Sequence, residues 1–295
     1  MKLHFYIHIK ENLGREELHY EVPKNFEIID LMKKKLKIIS SNIRFDNEND
    51  GDHIWDNRKY ILRDSIQSFD PQILGTQEGR RPQLSSLNSL LDEQDIVDSH
   101  RAWIKERMYP SLFLNSKDLI IKKSGDIWLS ETPSVPGSKS FESAFPRLCS
   151  WASVLWSQSS GNEGVPLFIV NCHLDHVLEK TRNLQVEVLC KEVFKIRDEE
   201  EHLIIMGDFN SHPESEVRKV LLTFFPCLYD PWKSLGLDEE ASHHKFGKER
   251  DSGSRIDWIM VDKRFEAEEI YLDKIQKEGL FPSDHYPLKC TLKLN

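Results

Sequence analysis

The sequence predicts a fold built around one segment, Leu203-Ile204-Ile205-Met206-Gly207-Asp208-Phe209-Asn210. Its four leading apolar residues are typical of a buried strand, and Gly207 lets the backbone turn where that strand ends. Asp208 and Asn210 follow at a spacing of two, which in an extended segment places both side chains on one side. The motif alone fits an Asx-rich turn as well as a site that activates water beside a phosphate.

Composition limits the classes of protein to which the chain can belong. Its 295 residues suffice for one large α/β domain or two small ones, and 39% hydrophobic with 30% charged residues is ordinary for a soluble protein. The formal net charge of −9 argues against a non-specific binder of duplex DNA, which would usually carry a basic face. A local basic pocket for one phosphate remains compatible with this balance.

The cysteines and the N-terminal residues indicate the cellular compartment of the protein. Five scattered cysteines without a C-x-x-C pair indicate reduced thiols of an intracellular protein rather than a disulfide framework. Lys2, His4, His8 and Lys10 interrupt any apolar region of a signal peptide, and no run is long enough to span a membrane. We therefore expect a cytoplasmic protein with no membrane span; the sequence does not identify a protein partner.

Apolar periodicity predicts the domain organisation. Residues 1–35 form an N-terminal extension with a structural role, and residues 36–295 form one domain. The predicted strands cover 37–45, 73–78, 112–114, 119–121, 127–129, 151–156, 167–172, 203–206, 255–261 and 288–294. The predicted helices cover 54–69, 83–92, 179–196 and 214–224. Because some strands follow one another without a crossover helix, we expect an α/β sandwich of two packed mixed sheets with helices outside.

Polar side chains stand at the ends of several predicted strands, where a buried sheet does not need them. These residues are Asn42, Glu78, Asn171, His173, Asp208, Asn210 and Asp257, and the loop 282–285 adds Asp284 and His285. Polar groups at strand ends can converge where sheets meet, so the set predicts one pocket.

The order of these motifs resembles the endonuclease/exonuclease/phosphatase superfamily throughout residues 36–295. The matching motifs are N-I-R at 42–44, Q-E at 77–78, N-C-H-L-D-H at 171–176, G-D-F-N at 207–210, R-I-D-W-I at 255–259 and S-D-H at 283–285. W-L-S-E-T-P at 128–133 and P-R-L-C-S-W-A at 146–152 further resemble a subgroup of largely uncharacterised hydrolases. The resemblance implies a DNase I-like four-layer sandwich. It also implies a phosphoester as substrate.

The resemblance also implies a metal site. Glu78 would supply the principal carboxylate for Mg²⁺, with Mn²⁺ as an alternative, and Asn42 would add an amide ligand or a phosphate contact. Asp284 would position that ion or bind a second one. A site with few carboxylates is expected because Mg²⁺ keeps several of its waters.

Roles in phosphate chemistry follow from the same resemblance. Asp208 would orient or deprotonate the attacking water, and Asn210 would hold a phosphate oxygen. His285, held by Asp257, would stabilise the charge that builds on the phosphoryl oxygens. His173 would give a second donor to the phosphate.

Three further residues are predicted to bind substrate or phosphate. Asn171 would support His173, and Arg147 is equally compatible with a structural ion pair and with a phosphate ligand. Arg101 lies in the segment 99–107, which is shorter than the subgroup's loop and lacks its glycines. We expect this loop to border the substrate pocket.

Simpler structural interpretations apply to other polar residues. His173, Asp175 and His176 resemble a zinc cluster, but no further cysteine or histidine stands at a matching spacing. We expect the pair His243-His244 to be solvated. Trp128, Trp151 and Trp156 are predicted to be core residues rather than stacking platforms.

The sequence predicts a Mg²⁺-dependent hydrolase of phosphoric esters, either a phosphodiesterase or a phosphatase. The alternative enzyme is an endonuclease or exonuclease on DNA or RNA, which the acidic net charge of −9 disfavours. The alternative from another class is a non-catalytic binding protein with the same fold.

Overall fold

Two mixed six-stranded sheets form the centre of the structure. The computed structural model describes residues 35–157, 164–248 and 253–295. The predicted extension, residues 1–35, lies outside the described residues except for Lys35, so the predicted domain boundary stays a prediction.

The strands and helices follow one another in mixed order. The strands are β1 (Leu36–Asn42), β2 (Ile73–Arg80), β3 (Gln94–Ile96), β4 (Met108–Asn115), β5 (Leu119–Trp128), β6 (Leu148–Trp156), β7 (Val165–His173), β8 (His202–Asp208), β9 (Leu228–Tyr229), β10 (Asp257–Asp262), β11 (Phe265–Leu272) and β12 (Leu288–Leu294). The α-helices are α1 (Trp55–Phe69), α2 (Arg81–Asn88), α3 (Glu179–Ile196), α4 (Glu216–Phe224) and α5 (Pro231–Ser234), and 3₁₀ turns cover Glu48–His53 and Lys245–Gly247.

Each sheet has one parallel pair of strands at its centre. The first sheet has the order β11-β12-β1-β2-β4-β3, and the second has the order β5-β6-β7-β8-β10-β9. Strands β1 and β2 are parallel in the first sheet, as are β7 and β8 in the second, and the neighbouring pairs are antiparallel. The predicted α/β sandwich of two mixed sheets is confirmed.

The apolar run of β8 is buried on both faces. Ile204 and Met206 face the core between the sheets, whereas Leu203 and Ile205 pack in the cluster that contains residues of α3 and α4. A third cluster joins β1 and β2 to α1 and α2. A strand covered on both faces needs a continuous apolar run, and this accounts for the four consecutive apolar residues.

Several predicted boundaries differ from the structure. The two short strands predicted at 119–121 and 127–129 are one strand, β5, with an irregularity between Ile121 and Lys123. The helix predicted at 83–92 ends at Asn88. Strand β11 was not predicted: it is an edge strand in which Phe265, Ala267 and Ile270 are buried between exposed glutamates.

Other expectations about the core are confirmed. Trp128 and Trp156 are buried, whereas Trp151 is half-buried at the edge of the core and stacks on Phe168 with ring centroids 5.2 Å apart. All five cysteines are free thiols, and burial raises the pKa of Cys190 to about 12. Within the described ranges, no helix combines the length and the apolar composition needed to cross a membrane.

Candidate active site

Asp208 occupies the carboxyl end of β8, between the two sheets. Its Oδ1 accepts a 2.9 Å hydrogen bond from the backbone N–H of Asn210, and its Oδ2 accepts one of 3.0 Å from Nδ2 of Asn42. The preceding Gly207 has φ +144°, and a Cβ there would lie 2.0 Å from the carbonyl oxygen of Cys172. Only glycine therefore allows β8 to end in this position beside β7.

Asn42 connects Asp208 to Glu78. At the end of β1, its Nδ2 also donates to Oε1 of Glu78 at 3.2 Å, while its Oδ1 accepts from the backbone N–H of Arg44 at 2.9 Å. Glu78 has φ +67° where the pairing of β2 with β4 is irregular, and its Oε2 accepts from the N–H of Phe45 at 3.2 Å. Strained backbone of this kind is typical of functional sites. The carboxylates of Glu78 and Asp208 thus lie beside one amide.

His285 also lies near the Asp208 carboxylate. Its Nδ1 lies 2.8 Å from Oδ2 of Asp257, and its Nε2 lies 4.0 Å from Oδ2 of Asp208. Asp257 reaches this position because β10 pairs with β8 in a register that places it opposite Asp208.

The buried carboxylates set the charge of His285. Burial alone would lower the pKa of His285, but Asp257, Asp208 and Asp284 outweigh burial and raise the pKa to about 10. Burial, and then the neighbouring Asp257, raise the pKa of Asp208. At neutral pH the ring of His285 is therefore a cation that faces carboxylates.

His173 is a second histidine near Asp208, and it is neutral. Its Nε2 is 3.5 Å from Oδ2 of Asp208, and its Nδ1 is 2.9 Å from Nη1 of Arg147. Burial, followed by the charge of Arg147, holds the pKa of His173 well below its ordinary value. Because the guanidinium can only donate, Nδ1 accepts and Nε2 carries the ring proton. His173 can therefore donate a hydrogen bond at the site.

Arg147 also decides against the zinc cluster considered above. Its Nη2 lies 3.2 Å from Nδ1 of His176, so that one guanidinium contacts both histidine rings. A cation already stands where a zinc ion would have to bind these two nitrogens. Arg147 is buried, and it contacts two imidazoles rather than a carboxylate.

Asn210 and Asp284 complete the predicted set. Nδ2 of Asn210 donates to the carbonyl oxygen of Leu174 at 3.1 Å, and the residue is half-buried with φ +48°. Oδ2 of Asp284 lies 3.7 Å from Nε2 of His243 and 3.9 Å from Nε of Arg44.

The expectation that both histidines of the pair 243–244 are solvated is wrong for His244, whereas His243 is partly exposed. The ring of His243 lies 4.5 Å from the ring of His285, beside Asp284. His244 is fully buried and stacks on Tyr286 with centroids 3.9 Å apart. The aromatic packing of His244 excludes water, so the polar sequence around the pair is misleading.

Asn171 is not placed to bind substrate. It is fully buried between the sheets, where Nδ2 donates to the carbonyl oxygens of Thr76 and Ser111 at 2.9 Å each. Its Oδ1 accepts from Nε2 of Gln77 at 2.7 Å. Every hydrogen of the amide is engaged, so Asn171 joins the sheets instead of contacting phosphate.

Arg101 is likewise committed to the interior. Its Nε and Nη2 donate to the carboxylate of Asp126 at 2.8 and 2.7 Å, and the guanidinium also bonds to Ser111 and Ser150. Its side chain has no exposed surface. The predicted contact between Arg101 and substrate is therefore wrong.

Arg58 is a positioning residue that sequence reasoning missed. This fully buried arginine of α1 donates to the carbonyl oxygens of Ile43, Arg44 and Pro282. It thereby joins the segment after β1 to the loop that carries Asp284 and His285. The sequence does carry a sign of this role. Arg58 stands four residues before Leu62, so it lies on the apolar face of the helix, where a charged residue is unexpected.

The donor set fits a hard divalent cation. Carboxylate oxygens of Glu78 and Asp208 both lie within 3.2 Å of the amide nitrogen of Asn42, and carboxylate oxygens are ligands that Mg²⁺ and Mn²⁺ prefer. The oxygen of that amide accepts from the backbone N–H of Arg44. Oδ1 of Asp257 is buried without a hydrogen-bond partner among the described residues. The charges of Asp284 and Glu78 are both felt by Arg44. Burial lowers the pKa of Arg44, but the carboxylates of Asp50, Asp284 and Glu78 outweigh burial and raise it. A divalent cation would offset this accumulation of negative charge.

Three solved structures have a fold similar to that of this chain. An endonuclease/exonuclease/phosphatase from Bacteroides vulgatus is 25% identical with a TM-score of 0.80, and the match covers 89% of this chain and 100% of that chain. A mannosyl-6-phosphatase from Bacteroides thetaiotaomicron is 26% identical with a TM-score of 0.75, covering 87% and 99%. TDP2 from D. rerio, complexed with single-strand DNA product, shares the fold at 19% identity and a TM-score of 0.68, covering 88% and 99%. No curated protein sequence matches the chain.

The family model described as "Endonuclease/Exonuclease/phosphatase family" matches residues 39–285, which include every strand-end residue described above. The chain therefore belongs to the endonuclease/exonuclease/phosphatase family, whose members are generally hydrolases acting on phosphoesters.

Proposed function

We propose that this protein hydrolyses small phosphoric esters with the help of a divalent cation, Mg²⁺ or Mn²⁺. The observation that carries the proposal is the position of the Asp208 carboxylate. Its Oδ2 is fixed by Asn42 at 3.0 Å and lies 3.5 Å from the neutral ring of His173 and 4.0 Å from the cationic ring of His285. A buried carboxylate with donors beside it can hold a water against a phosphate.

Asp208 accepts a proton from the attacking water in this proposal. Its two oxygens are oriented by the amide of Asn42 and by the backbone N–H of Asn210, so the carboxylate does not have to reorganise. His285 stabilises the negative charge that builds on the phosphoryl oxygens, and Asp257 holds its ring through Nδ1.

His173 and Asn210 bind the phosphate. The Nε2–H of His173 is a neutral donor, which Arg147 fixes in that tautomer. Asn210 is half-buried and lies two residues after Asp208 in the chain. Glu78, with Asn42 and Asp284, would hold the divalent cation, which when bound neutralises charge on the phosphate and on the departing oxygen.

The similarity to a phosphatase supports a small-molecule substrate. The mannosyl-6-phosphatase is 26% identical over 87% of this chain. The DNA complex of TDP2 comes from a protein only 19% identical, so it supports the fold alone. The net charge of −9 further disfavours a nuclease, because polynucleotides need a basic surface along the strand.

The test is a comparison of an aryl phosphomonoester, an aryl phosphodiester and plasmid DNA, each with Mg²⁺, with Mn²⁺ and with a chelator. We expect metal-dependent hydrolysis of at least one aryl ester. Asp208→Asn should abolish this activity. The control variant Asp56→Asn, which makes the same change at an exposed acid of α1, should retain it. Cleavage of plasmid alone would replace the proposal with a nuclease. Inactivity on all three substrates, with a folded protein, would favour a non-catalytic binding protein.

A further inference from the structure

A cavity of about 280 Å³ adjoins the candidate active site. Its charged lining residues are Arg80, Lys105, Glu106, Arg107 and Arg147. Three of them belong to the segment 99–107 that distinguishes this chain from the subgroup that it resembles. We call this cavity the cationic pocket.

The cationic pocket reaches the site through two shared residues. His173 and Arg147 both line it, and they contact each other at 2.9 Å. The other ring nitrogen of His173 is 3.5 Å from Asp208. A ligand whose phosphate lies at Asp208 can therefore extend into the pocket past His173.

The charge of the pocket is opposite to that of the whole protein. Four basic side chains and one acidic side chain line it, in a chain of net charge −9. The acid, Glu106, lies 4.0 Å from Arg80 and its side chain is 69% exposed, so it neutralises little of the positive charge. An anionic ligand would find an excess of basic over acidic side chains here.

Three arginines that line the pocket do not use their full hydrogen-bonding capacity within the protein. The Nε atoms of Arg80, Arg107 and Arg147 are buried and make no hydrogen bond within the part of the chain that the structure describes. A buried donor without a partner is costly. Guanidinium groups match the oxygens of phosphate in geometry and charge.

We propose that the cationic pocket binds a second phosphate group of the substrate, so that the preferred substrates are small molecules bearing two phosphates. This inference rests on the proposed function. In the reaction, water adds to the phosphorus at Asp208 and the bond from phosphorus to the ester oxygen breaks. The proton that Asp208 takes from the water ends on that oxygen, giving inorganic phosphate and an alcohol that keeps the second phosphate.

The size of the pocket favours a small molecule over a polynucleotide. About 280 Å³ holds one phosphorylated group, whereas a nucleic-acid strand needs a long basic groove with stacking side chains.

The experiment compares fructose 1,6-bisphosphate with fructose 6-phosphate as substrates, with an aryl phosphomonoester as a reference that lacks a second phosphate. We expect kcat/KM to be at least about tenfold higher for fructose 1,6-bisphosphate than for fructose 6-phosphate, mainly because KM is lower. A tenfold difference corresponds to one good charged hydrogen bond. Arg107→Gln should remove most of this preference, and Arg107→Lys, which keeps the charge without the planar group, should remove part of it. Lys122→Gln, an exposed site on β5, is the matched control and should change nothing.

Binding separates this inference from the proposed function. Calorimetry with Asp208→Asn protein should show tighter binding of fructose 1,6-bisphosphate than of fructose 6-phosphate, and the difference should vanish when Arg107→Gln is added. Equal affinities, or a difference that survives Arg107→Gln in a folded protein, would overturn the inference even if aryl esters are hydrolysed. The inference would also be overturned if Arg107→Gln weakened the binding of single-stranded DNA but did not weaken the binding of fructose 1,6-bisphosphate. Failure to hydrolyse any ester, with the binding difference intact, would instead count against the proposed function.

Discussion

Nδ2 of Asn42 lies 3.0 Å from Oδ2 of Asp208, a hydrogen bond between residues 166 positions apart that joins the two sheets at the active-site edge. The same nitrogen donates to Glu78 at 3.2 Å, so one amide orients both the proposed base and the proposed metal ligand. An error in the packing of the two sheets would therefore displace both groups at once.

Asp208→Asn and His285→Ala should each reduce turnover steeply. General acid–base groups contribute about 10²- to 10⁴-fold each, and both residues act on one transition state. The double variant should therefore lose less than the product of the two single losses. Steady-state kinetics at saturating Mg²⁺ on folded protein measures this, and near-normal turnover of either single variant would contradict the assignment.

Glu78→Gln should weaken the binding of Mg²⁺ while leaving the fold intact. Loss of a side chain that only orients a metal ligand typically costs about 10- to 100-fold in affinity, so loss of a carboxylate that binds the ion should cost at least as much. Calorimetric titration with Mg²⁺ gives the affinity directly, and Glu48→Gln, at an exposed acid of the 3₁₀ turn Glu48–His53, serves as control. An unchanged affinity would show that another group holds the ion.

Asn171→Ala should destabilise the protein without raising KM. The substitution removes the partners of Gln77 and of two backbone carbonyls in a fully buried position, at a cost of about 2–4 kcal/mol. Urea denaturation measures the free energy of unfolding, and kinetics at low temperature measures KM on the folded fraction. A raised KM with unchanged stability would restore the role in phosphate binding that the sequence predicted.

Arg58→Lys should lower kcat, and Arg58→Ala should also destabilise the fold. Lysine keeps the charge but cannot reach three carbonyl oxygens from one planar group, so the loop of Asp284 and His285 shifts relative to β1. A small misplacement of catalytic groups costs about 10- to 100-fold in rate. If Arg58→Lys retains full turnover, Arg58 has a structural role alone.

The ion pair of Arg101 with Asp126 should make stability depend on pH in the acid range. Burial raises the pKa of Asp126, but hydrogen bonds from Arg101 and His100 outweigh burial and lower the pKa to about 2. The unfolded state, with its ordinary value near 4, binds the proton first, so the stabilisation is complete above about pH 5 and is lost as the pH falls towards 2. The shift corresponds to roughly 2 kcal/mol.

Asp126→Asn tests that dependence. The difference in the free energy of unfolding between wild type and Asp126→Asn should be constant from pH 7 to 5. It should then shrink by about half at pH 3, because the wild type alone loses the charged pair. A difference that stays constant down to pH 3 would show that the pair does not stabilise the folded state through ionisation.

Much of the fold could be predicted because buried strands require apolar runs. The run 203–206 is apolar throughout since β8 is covered on both faces, and this signal survives in a single sequence. Strand β11 escaped prediction because it is an edge strand whose glutamates face solvent. An alternating pattern with this much charge also fits a surface loop or a helix.

The candidate site was predicted in part, and β7 shows the reason. Asn171 and His173 are two residues apart on one face of the same strand, and both are polar. His173 pairs in register with Asp208 at the edge, whereas Asn171 pairs with Met206, one step deeper between the sheets. A displacement of about 7 Å along a strand separates His173, which we propose donates a hydrogen bond to the phosphate, from Asn171, a buried link between the sheets. Sequence alone does not measure that depth.

The amino-acid sequence by itself determined the kinds of groups available and the strand ends at which they stand. The reason is that strand formation leaves an apolar pattern in the chain, and the turn that ends β8 requires a glycine before Asp208. Both signals depend on the local backbone and can be read from a single sequence. Only the tertiary structure decided which polar groups meet: Arg101 is bound by Asp126, His244 is stacked on Tyr286, and Arg80, Arg107 and Arg147 converge on one cavity. The physical reason is that each of these contacts joins segments far apart in the chain, and their positions depend on how the two sheets pack.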